Sequence, residues 1–286
     1  MRRFRITHNT YYNFSGSVIL GTHYLRLRPR EGHTLHIESS TLKITPQPTL
    51  RWRHDVEGNS VAIASFNSPA SQLSILSDVI IQQYNEDPLD FVVEQQAVDY
   101  PFLYENDDRT LLQPYMEDPV IKSDNKLLAD WIAAIWQLGE AIQTYTLLQR
   151  ICAHIYETFV YRIREEPGVQ SAEQTIALNA GSCRDFAQLF MSAARYLGLA
   201  ARFVSGYLHA PPTIDNFGAT HAWAEIYVPG AGWVGFDPTI GQLVGADHIA
   251  VAVARLPESV PPVSGTFSGA ASSVLDVGVW INECHA

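Results

Sequence analysis

The stretch GSCRDFAQLFMSAARYLG, residues 181–198, decides the fold of the second half of this chain. Its apolar residues recur at the spacing of one helix face, and Gly198 follows them as a helix stop. Cys183 lies at the opening turn, where unpaired backbone N–H groups and the positive dipole end stabilise a thiolate. The pattern therefore predicts a helix that begins beside Cys183 and buries Phe186, Leu189, Phe190, Ala193, Ala194 and Leu197.

Two β-type runs downstream, HAWAEIYV (221–228) and GWVGFD (232–237), are separated by a turn-rich segment and predict a hairpin. His221 and Asp237 share a face of this hairpin only if paired residue numbers sum to an even value such as 458 or 460. A four-residue loop that pairs Val228 with Trp233 gives 461 and would separate them. We therefore expect a three- or five-residue loop, or a bulge.

Cys183, His221 and Asp237 together suit nucleophilic catalysis. A thiolate attacks a carbonyl carbon, an imidazolium protonates the departing amine, and a carboxylate orients the histidine. The other two cysteines fit this chemistry poorly, because Cys152 lies on the apolar side of an amphipathic segment and Cys284 is close to the C-terminus. We expect Cys183 as nucleophile, His221 as base and Asp237 as the residue that orients it.

The first hundred residues form short β-type runs separated by Gly, Pro and Asn, with a period-2 stripe at Leu73, Ile75, Ser77, Val79 and Ile81. An aperiodic segment with several prolines follows, and helical spacing begins near Leu127. The sequence predicts an α+β protein: an antiparallel β-sandwich-like domain over 1–115, then a catalytic core with a C-terminal β extension over 116–286.

Composition excludes several classes of protein. The 286 residues are 47% hydrophobic and carry a formal net charge of −11 without a basic block, which argues against a nucleic-acid ligand. No window is apolar enough to span a bilayer and no secretory signal is visible, so we expect a cytoplasmic protein with no membrane partner. Three cysteines cannot make a disulfide framework, and no metal or phosphate-loop motif occurs, so we expect no metal and no cofactor.

Three segments, GSCRDFA (181–187), HAWAE (221–225) and GWVGFDPT (232–239), resemble the core motifs of the bacterial transglutaminase-like superfamily. The β-rich first half is similar to the N-terminal domain that accompanies this core, and DHI (247–249) with the residues after it resembles the family's C-terminal extension. The resemblance implies a papain-like α+β core in which Cys183, His221 and Asp237 form the triad. It implies no calcium site.

The expected function is cysteine-dependent cleavage or transfer of an amide bond through a thioester, with a peptide or protein as substrate. A protease or peptide amidase is favoured over acyl transfer to an amine, and a non-catalytic binding module is the third reading. The backbone N–H of Cys183 is expected in the oxyanion hole. Its second donor stays open, with the amides of Gln174 and Asn179 as candidates, although Asn179 suits helix capping equally well. Oligomeric state is not predicted.

Overall fold

The computed structural model describes residues 1–84, 89–118, 126–164, 166–209 and 220–284. In the first half of the chain, buried and exposed side chains alternate along the strands, because every second side chain of a strand points to the same face. The stripe from Leu73 to Ile81 is buried at alternate positions, as its period of two predicts. The strands of this half are β1 (Arg2–Leu20), β2 (His23–Leu25), β3 (Leu35–Thr45), β4 (Thr49–His54), β5 (Ser60–Ser65) and β6 (Ala70–Gln83).

Helices with short intervening strands occupy the middle of the chain. They are α1 (Gln95–Val98), β7 (Asp99–Tyr100), α2 (Asn106–Met116), α3 (Lys126–Ile135), β8 (Ile142–Gln143), α4 (Thr144–Thr158), β9 (Val160–Tyr161), α5 (Ala172–Leu178), β10 (Ala180–Gly181) and α6 (Cys183–Tyr196). No helix among the described residues has the length and apolar character that a membrane crossing requires.

Strands dominate the last third of the chain. They are β11 (Ala201–Leu208), β12 (Thr220–Val228), β13 (Gly232–Asp237), β14 (Gln242–Leu243), β15 (His248–Ala254), β16 (Val263–Ser264), β17 (Phe267–Ser268) and β18 (Ser273–Glu283), with a 3-10 turn at Pro257–Ser259 before β16.

Two antiparallel sheets form the N-terminal sandwich. One sheet has the order β17-β1-β6-β3 with β18 also paired to β1, and the other has the order β16-β2-β5-β4. Apolar side chains from both sheets meet in one core, which holds Val18, Leu20, Leu25, Leu27, Ile44, Ala62, Ala64, Leu73 and Ile75. The expected fold class, an antiparallel sandwich followed by an α+β core, is confirmed.

The core of the second half is α6 packed on an antiparallel sheet of order β14-β13-β12-β11-β15. One face of β12 presents Ala222, Ala224, Ile226 and Val228 to the cluster that contains the apolar face of α6. The apolar stripe that the sequence assigned to α6 is buried there, from Phe186 to Ala194. The other face of β12 is left for the polar and aromatic residues that alternate with these positions.

The hairpin of β12 and β13 has the predicted register. Val228 pairs with Gly232 and Ala224 with Phe236, so paired numbers sum to 460 and the loop is residues 229–231. Asp237 therefore continues the ladder opposite Trp223, one pleat from His221 on the same face. Parity allowed a three- or five-residue loop or a bulge, and the loop has three residues.

The C-terminal strands pair with the N-terminal sandwich. β18 lies along β1 from Phe4 to Phe14, and β16 and β17 pair with β2 and β1. We expected this segment as an extension of the core, but its backbone partners lie at the start of the chain. A local sequence pattern carries no information about such a distant partner, and the boundary at residue 115 stays a prediction.

Candidate active site

Cys183 is the first residue of α6, and two short strands fix the chain in front of it. β10 pairs in parallel with β9, which places Gly181 opposite Tyr161. The Arg162 backbone N–H also donates to Gly181 O over 2.8 Å. A Cβ at position 181 would lie 2.8 Å from the Cβ of Asp185, so the close approach to the helix needs glycine. The half-buried thiol thus lies at a helix N-terminus with a fixed approach.

A buried carboxylate, Asp185, holds this turn. Its Oδ2 accepts from the backbone N–H of Ser182 at 2.8 Å and from the Ser182 hydroxyl at 2.7 Å. Its Oδ1 accepts from Arg164 Nη1 at 2.6 Å and from the Gln170 N–H at 2.8 Å. Burial alone would raise the pKa of this carboxyl, but the donors together hold it below its usual value. Asp185 therefore joins the start of α6 to the segment before it.

His221 and Asp237 are hydrogen-bonded partners. His221 Nε2 lies 2.6 Å from Asp237 Oδ2, and the carboxylate is fully buried. Asp237 Oδ1 accepts from the Thr239 backbone N–H at 2.9 Å. Because Nε2 faces Asp237, the ring nitrogen left for the neighbouring Cys183 thiol is Nδ1. The structure thus brings together the three side chains named from the sequence, with a hydrogen bond between His221 and Asp237 and the thiol beside the imidazole.

The charge of Asp237 controls the protonation of His221. Burial lowers the pKa of His221, but the negative charge of Asp237 and the bonds to Asp237 and Cys183 raise it well above its usual value. Burial likewise raises the pKa of Asp237, but the charge and hydrogen bond of His221 hold it below the usual range. The site therefore favours a protonated imidazole, the form that can give a proton to a leaving amine.

Tyr161 is a site residue that sequence reasoning missed. Its hydroxyl lies near the Cys183 thiol, and its half-exposed ring packs edge-on against Phe186 with centroids 6.2 Å apart. Burial and the neighbouring Cys183 raise the pKa of Tyr161 to about 12, so the hydroxyl keeps its proton at neutral pH and can donate. The only sequence signal is a Val-Tyr pair directly after α4, which is too short to show a period.

Gln174 and Asn179, the two candidate oxyanion donors, lie at the two ends of α5 and not beside Cys183. Gln174 caps α5, since its Oε1 accepts from the Ser171 N–H at 2.8 Å. Asn179 ends the same helix in the left-handed region with φ 49°. Both are exposed, and neither side chain bonds to Cys183 within the described ranges. The donor that the geometry offers beside the thiol is the hydroxyl of Tyr161.

A second histidine reaches the same carboxylate. His248, at the start of β15, places Nε2 3.0 Å from Asp237 Oδ2 with its side chain 3% exposed. The backbone N–H of Gly245 donates to its Nδ1 over 3.2 Å. A ring nitrogen that accepts carries no proton, so the hydrogen bond from Gly245 places the proton of His248 on Nε2. His248 is therefore a donor to Asp237.

His221, Asp237 and His248 form a cluster that could in principle hold a metal ion, because one ligand atom of each lies within 4.8 Å of the others. A metal ligand must offer a free lone pair. The lone pair of His248 Nε2 is taken by a proton, since Nδ1 accepts from Gly245. The donor set does not fit a cation, and the expectation of no metal stays a prediction.

Comparison with known proteins supports the assignment made from the motifs. Residues 137–238 match the family model described as the transglutaminase-like superfamily. Residues 4–82 match the model described as the bacterial transglutaminase-like N-terminal region. These two matches confirm the superfamily that the three motifs indicated, and the first of them contains all three triad candidates.

Whole-chain relatives have the same organisation. An uncharacterised protein of Mycobacterium tuberculosis is 29% identical over 97% of this chain and 91% of its own length. An uncharacterised protein of Mycobacterium leprae is 25% identical over 99% of both chains. A crystal structure from Cytophaga hutchinsonii, provisionally assigned as a cysteine protease, covers this whole chain and 91% of its own with a TM-score of 0.77 and 21% identity. That likeness shows a shared fold across both halves.

Proposed function

Because this chain carries a bacterial transglutaminase-like N-terminal region and a transglutaminase-like core, we propose that it is a cysteine-dependent enzyme of amide bonds. Cys183 is the nucleophile, His221 the acid and base, and Asp237 the residue that orients the imidazole. The observation that carries the proposal is the position of the thiol at the start of α6 beside His221, whose Nε2 lies 2.6 Å from a fully buried carboxylate.

The residues divide the reaction into two steps. The Cys183 thiolate attacks the carbonyl carbon, and the oxyanion that forms accepts from the Cys183 backbone N–H and the Tyr161 hydroxyl. The His221 imidazolium gives its Nδ1 proton to the departing nitrogen, which leaves as an amine or ammonia. Neutral His221 then takes a proton from the incoming water or amine as that group attacks the thioester. The tetrahedral intermediate collapses, and the thiolate is restored.

Water is proposed as the acceptor, which makes the enzyme a protease or peptide amidase. The alternative acceptor is an amine, as in protein-glutamine acyl transfer, and the outcome depends on how well the cleft excludes water. A binding module that has lost activity is the remaining alternative. The arrangement of Cys183, His221 and Asp237 argues against it, since a binding surface has no need for a protonated imidazole between a thiol and a buried carboxylate.

A mixed peptide library incubated with an excess of methylamine tests the reaction and its acceptor together. New peptide termini indicate peptide hydrolysis, glutamine converted to glutamate indicates amidase activity, and N-methylated glutamine indicates acyl transfer. We expect hydrolysis products from the wild type and from Cys284→Ser, whose thiol accepts from Arg3 Nη1 beside the N-terminal sheet. No product from Cys183→Ser is expected, and equal products from this variant would refute the proposal.

Removal of one hydroxyl, in Tyr161→Phe, is expected to lower kcat on any substrate identified in this way by about 100-fold, since an oxyanion donor contributes on that order. KM should change little, because the bond strengthens only as the oxyanion forms. Tyr156→Phe, an exposed tyrosine on α4, is the matched control. A kcat loss below about threefold in Tyr161→Phe would remove the hydroxyl from the oxyanion hole.

A cytoplasmic location remains part of the proposal. All three cysteines, Cys152, Cys183 and Cys284, are free thiols, which suits a reducing compartment. Burial raises the pKa of Cys152 far above its usual value, so this thiol is protected from oxidation and alkylation.

A further inference from the structure

We propose that His248 is a positioning residue of this site, which holds the Asp237 carboxylate in the orientation that Asp237 in turn imposes on His221. The inference deepens the proposed function and rests on it. Among the described contacts, His248 makes no hydrogen bond to the thiol or to the imidazole of His221. Its ring centroid lies 6.2 Å from that of His221, so its one hydrogen bond toward the triad is the bond to Asp237. The sequence places His248 in an apolar strand, HIAVAVA (248–254), where a histidine has no evident role.

The carboxylate of Asp237 needs a fixed plane because, among the described side chains, it is the hydrogen-bond acceptor that orients the ring of His221. Its Oδ1 accepts from the Thr239 N–H, and its Oδ2 accepts from His221 at 2.6 Å and from His248 at 3.0 Å. Without His248, the Oδ2 end is held only by His221, the group that it has to orient. A buried carboxylate that has lost one hydrogen-bond donor turns toward other donors or binds water. Either change leaves the imidazole of His221 less firmly oriented.

His248 is itself rigidly placed. A tight turn closes in front of β15, where the His248 N–H donates to Gly245 O over 3.0 Å and the Gly245 N–H donates back to the ring. His248 pairs with Leu208 of β11, and the ring meets Trp223 edge-on with centroids 5.2 Å apart. The donor proton on Nε2 is therefore fixed both in position and in tautomer.

The other titratable groups around Asp237 are Cys152 and Tyr161, which feel its charge, and Cys183, which lies beside His221. Burial raises the pKa of Tyr161 and of Cys152, so both are neutral near pH 7. Neither donates to the carboxylate in the structure. Among the described side chains, His248 is the one donor to Asp237 that does not take part in the proposed proton transfer.

Two substitutions separate positioning from simple packing. Asn in His248→Asn keeps a side-chain oxygen that can accept from Gly245 but is too short to reach Asp237 with a donor. Gln in His248→Gln places an amide N–H at about the reach of Nε2. The readout is the rate of Cys183 alkylation by iodoacetamide at pH 6 divided by the rate at pH 9, followed by peptide mass spectrometry. This ratio measures the thiolate held by the imidazolium at pH 6, because ordinary thiols ionise only at the higher pH.

We expect the ratio to fall about tenfold in His248→Asn, a loss typical of one missing orienting hydrogen bond. In His248→Gln, the ratio should be within about threefold of the wild-type value. Melting temperatures of both variants are measured beside it. His8→Asn is the matched control, since His8 is also buried and hydrogen-bonded, but to Tyr207. It should leave the ratio unchanged.

A ratio in folded His248→Asn equal to that of wild type overturns the inference, and so does an equal fall in both His248 variants. If His248→Asn does not fold, the His248→Gln ratio decides: a tenfold fall in folded protein overturns the inference. Failure of the proposed function has a different signature. In that case, the wild-type ratio is already as low as that of Cys284 in the same digest.

Discussion

Replacement of His221 by alanine is expected to slow alkylation of Cys183 at pH 6 by roughly ten- to thirtyfold. An ordinary thiol is only about 0.3% ionised at pH 6, and the greater nucleophilicity of its thiolate recovers part of that factor. In the proposed mechanism, His221 places a positive charge beside the sulfur, since Asp237 raises the pKa of the imidazole well above its usual value. The measurement is the second-order rate constant with iodoacetamide from pH 5 to 9.

The matched control is His154→Ala, a half-buried histidine on α4 that stacks against Trp131. It should leave the Cys183 profile unchanged. At pH 9 and above, the wild type and His221→Ala should converge, because the thiol then ionises without help. Rates for His221→Ala within about twofold of wild type at pH 6 would contradict the imidazolium role.

The second large effect concerns stability. Asp185→Ala is expected to lower the free energy of unfolding by about 3–5 kcal/mol, the usual cost of breaking a buried, hydrogen-bonded ion pair from one side. The loss includes the bonds to Ser182 and Gln170 as well as the partner of Arg164. Urea denaturation monitored by tryptophan fluorescence measures it. Because these bonds fix the start of α6, the reactivity of Cys183 should fall in the same variant.

The pH dependence of Asp185→Ala has a defined sign. The pKa of Asp185 is held below its usual value, so its contribution is present above the pKa of an unfolded aspartate and is lost as pH falls. The difference in unfolding free energy between wild type and variant should therefore shrink from pH 7 toward pH 3. Asp78→Ala removes a surface ion pair with Arg5 and serves as control. A difference independent of pH would mean that packing, not the charge, causes the loss.

Patterns with a short period predict most of the fold. The helical spacing from Phe186 to Leu197 placed α6, and pleating placed Ala222 and Ala224 on the face that packs against it. The pairing of β18 with β1 could not be predicted in this way. A strand records which of its faces is buried, but the identity of its neighbour across more than 200 residues depends on the packing of the whole sandwich.

The candidate site could be predicted from the sequence where the type of a side chain itself indicates catalysis. A cysteine, a histidine and an aspartate in this order indicate nucleophilic catalysis, as Cys183, His221 and Asp237 do. The even sum of paired residue numbers also restricted the length of the loop between the strands that carry His221 and Asp237. Tyr161 and His248 were missed for another reason. Tyr161 reaches the thiol through a two-residue parallel ladder, and His248 reaches Asp237 from the far edge of the sheet. Neither contact corresponds to a repeating pattern in the sequence that could have predicted it.

The pairing of β18 with β1 affects how the protein can be made. Residues 273–283, which cover one edge of β1, are translated long after residues 4–14. Until then, that edge of the first strand presents unpaired N–H and C=O groups to other nascent chains. Slowing translation just before residue 273 should increase aggregation, because the vulnerable interval lasts until the closing strand arrives.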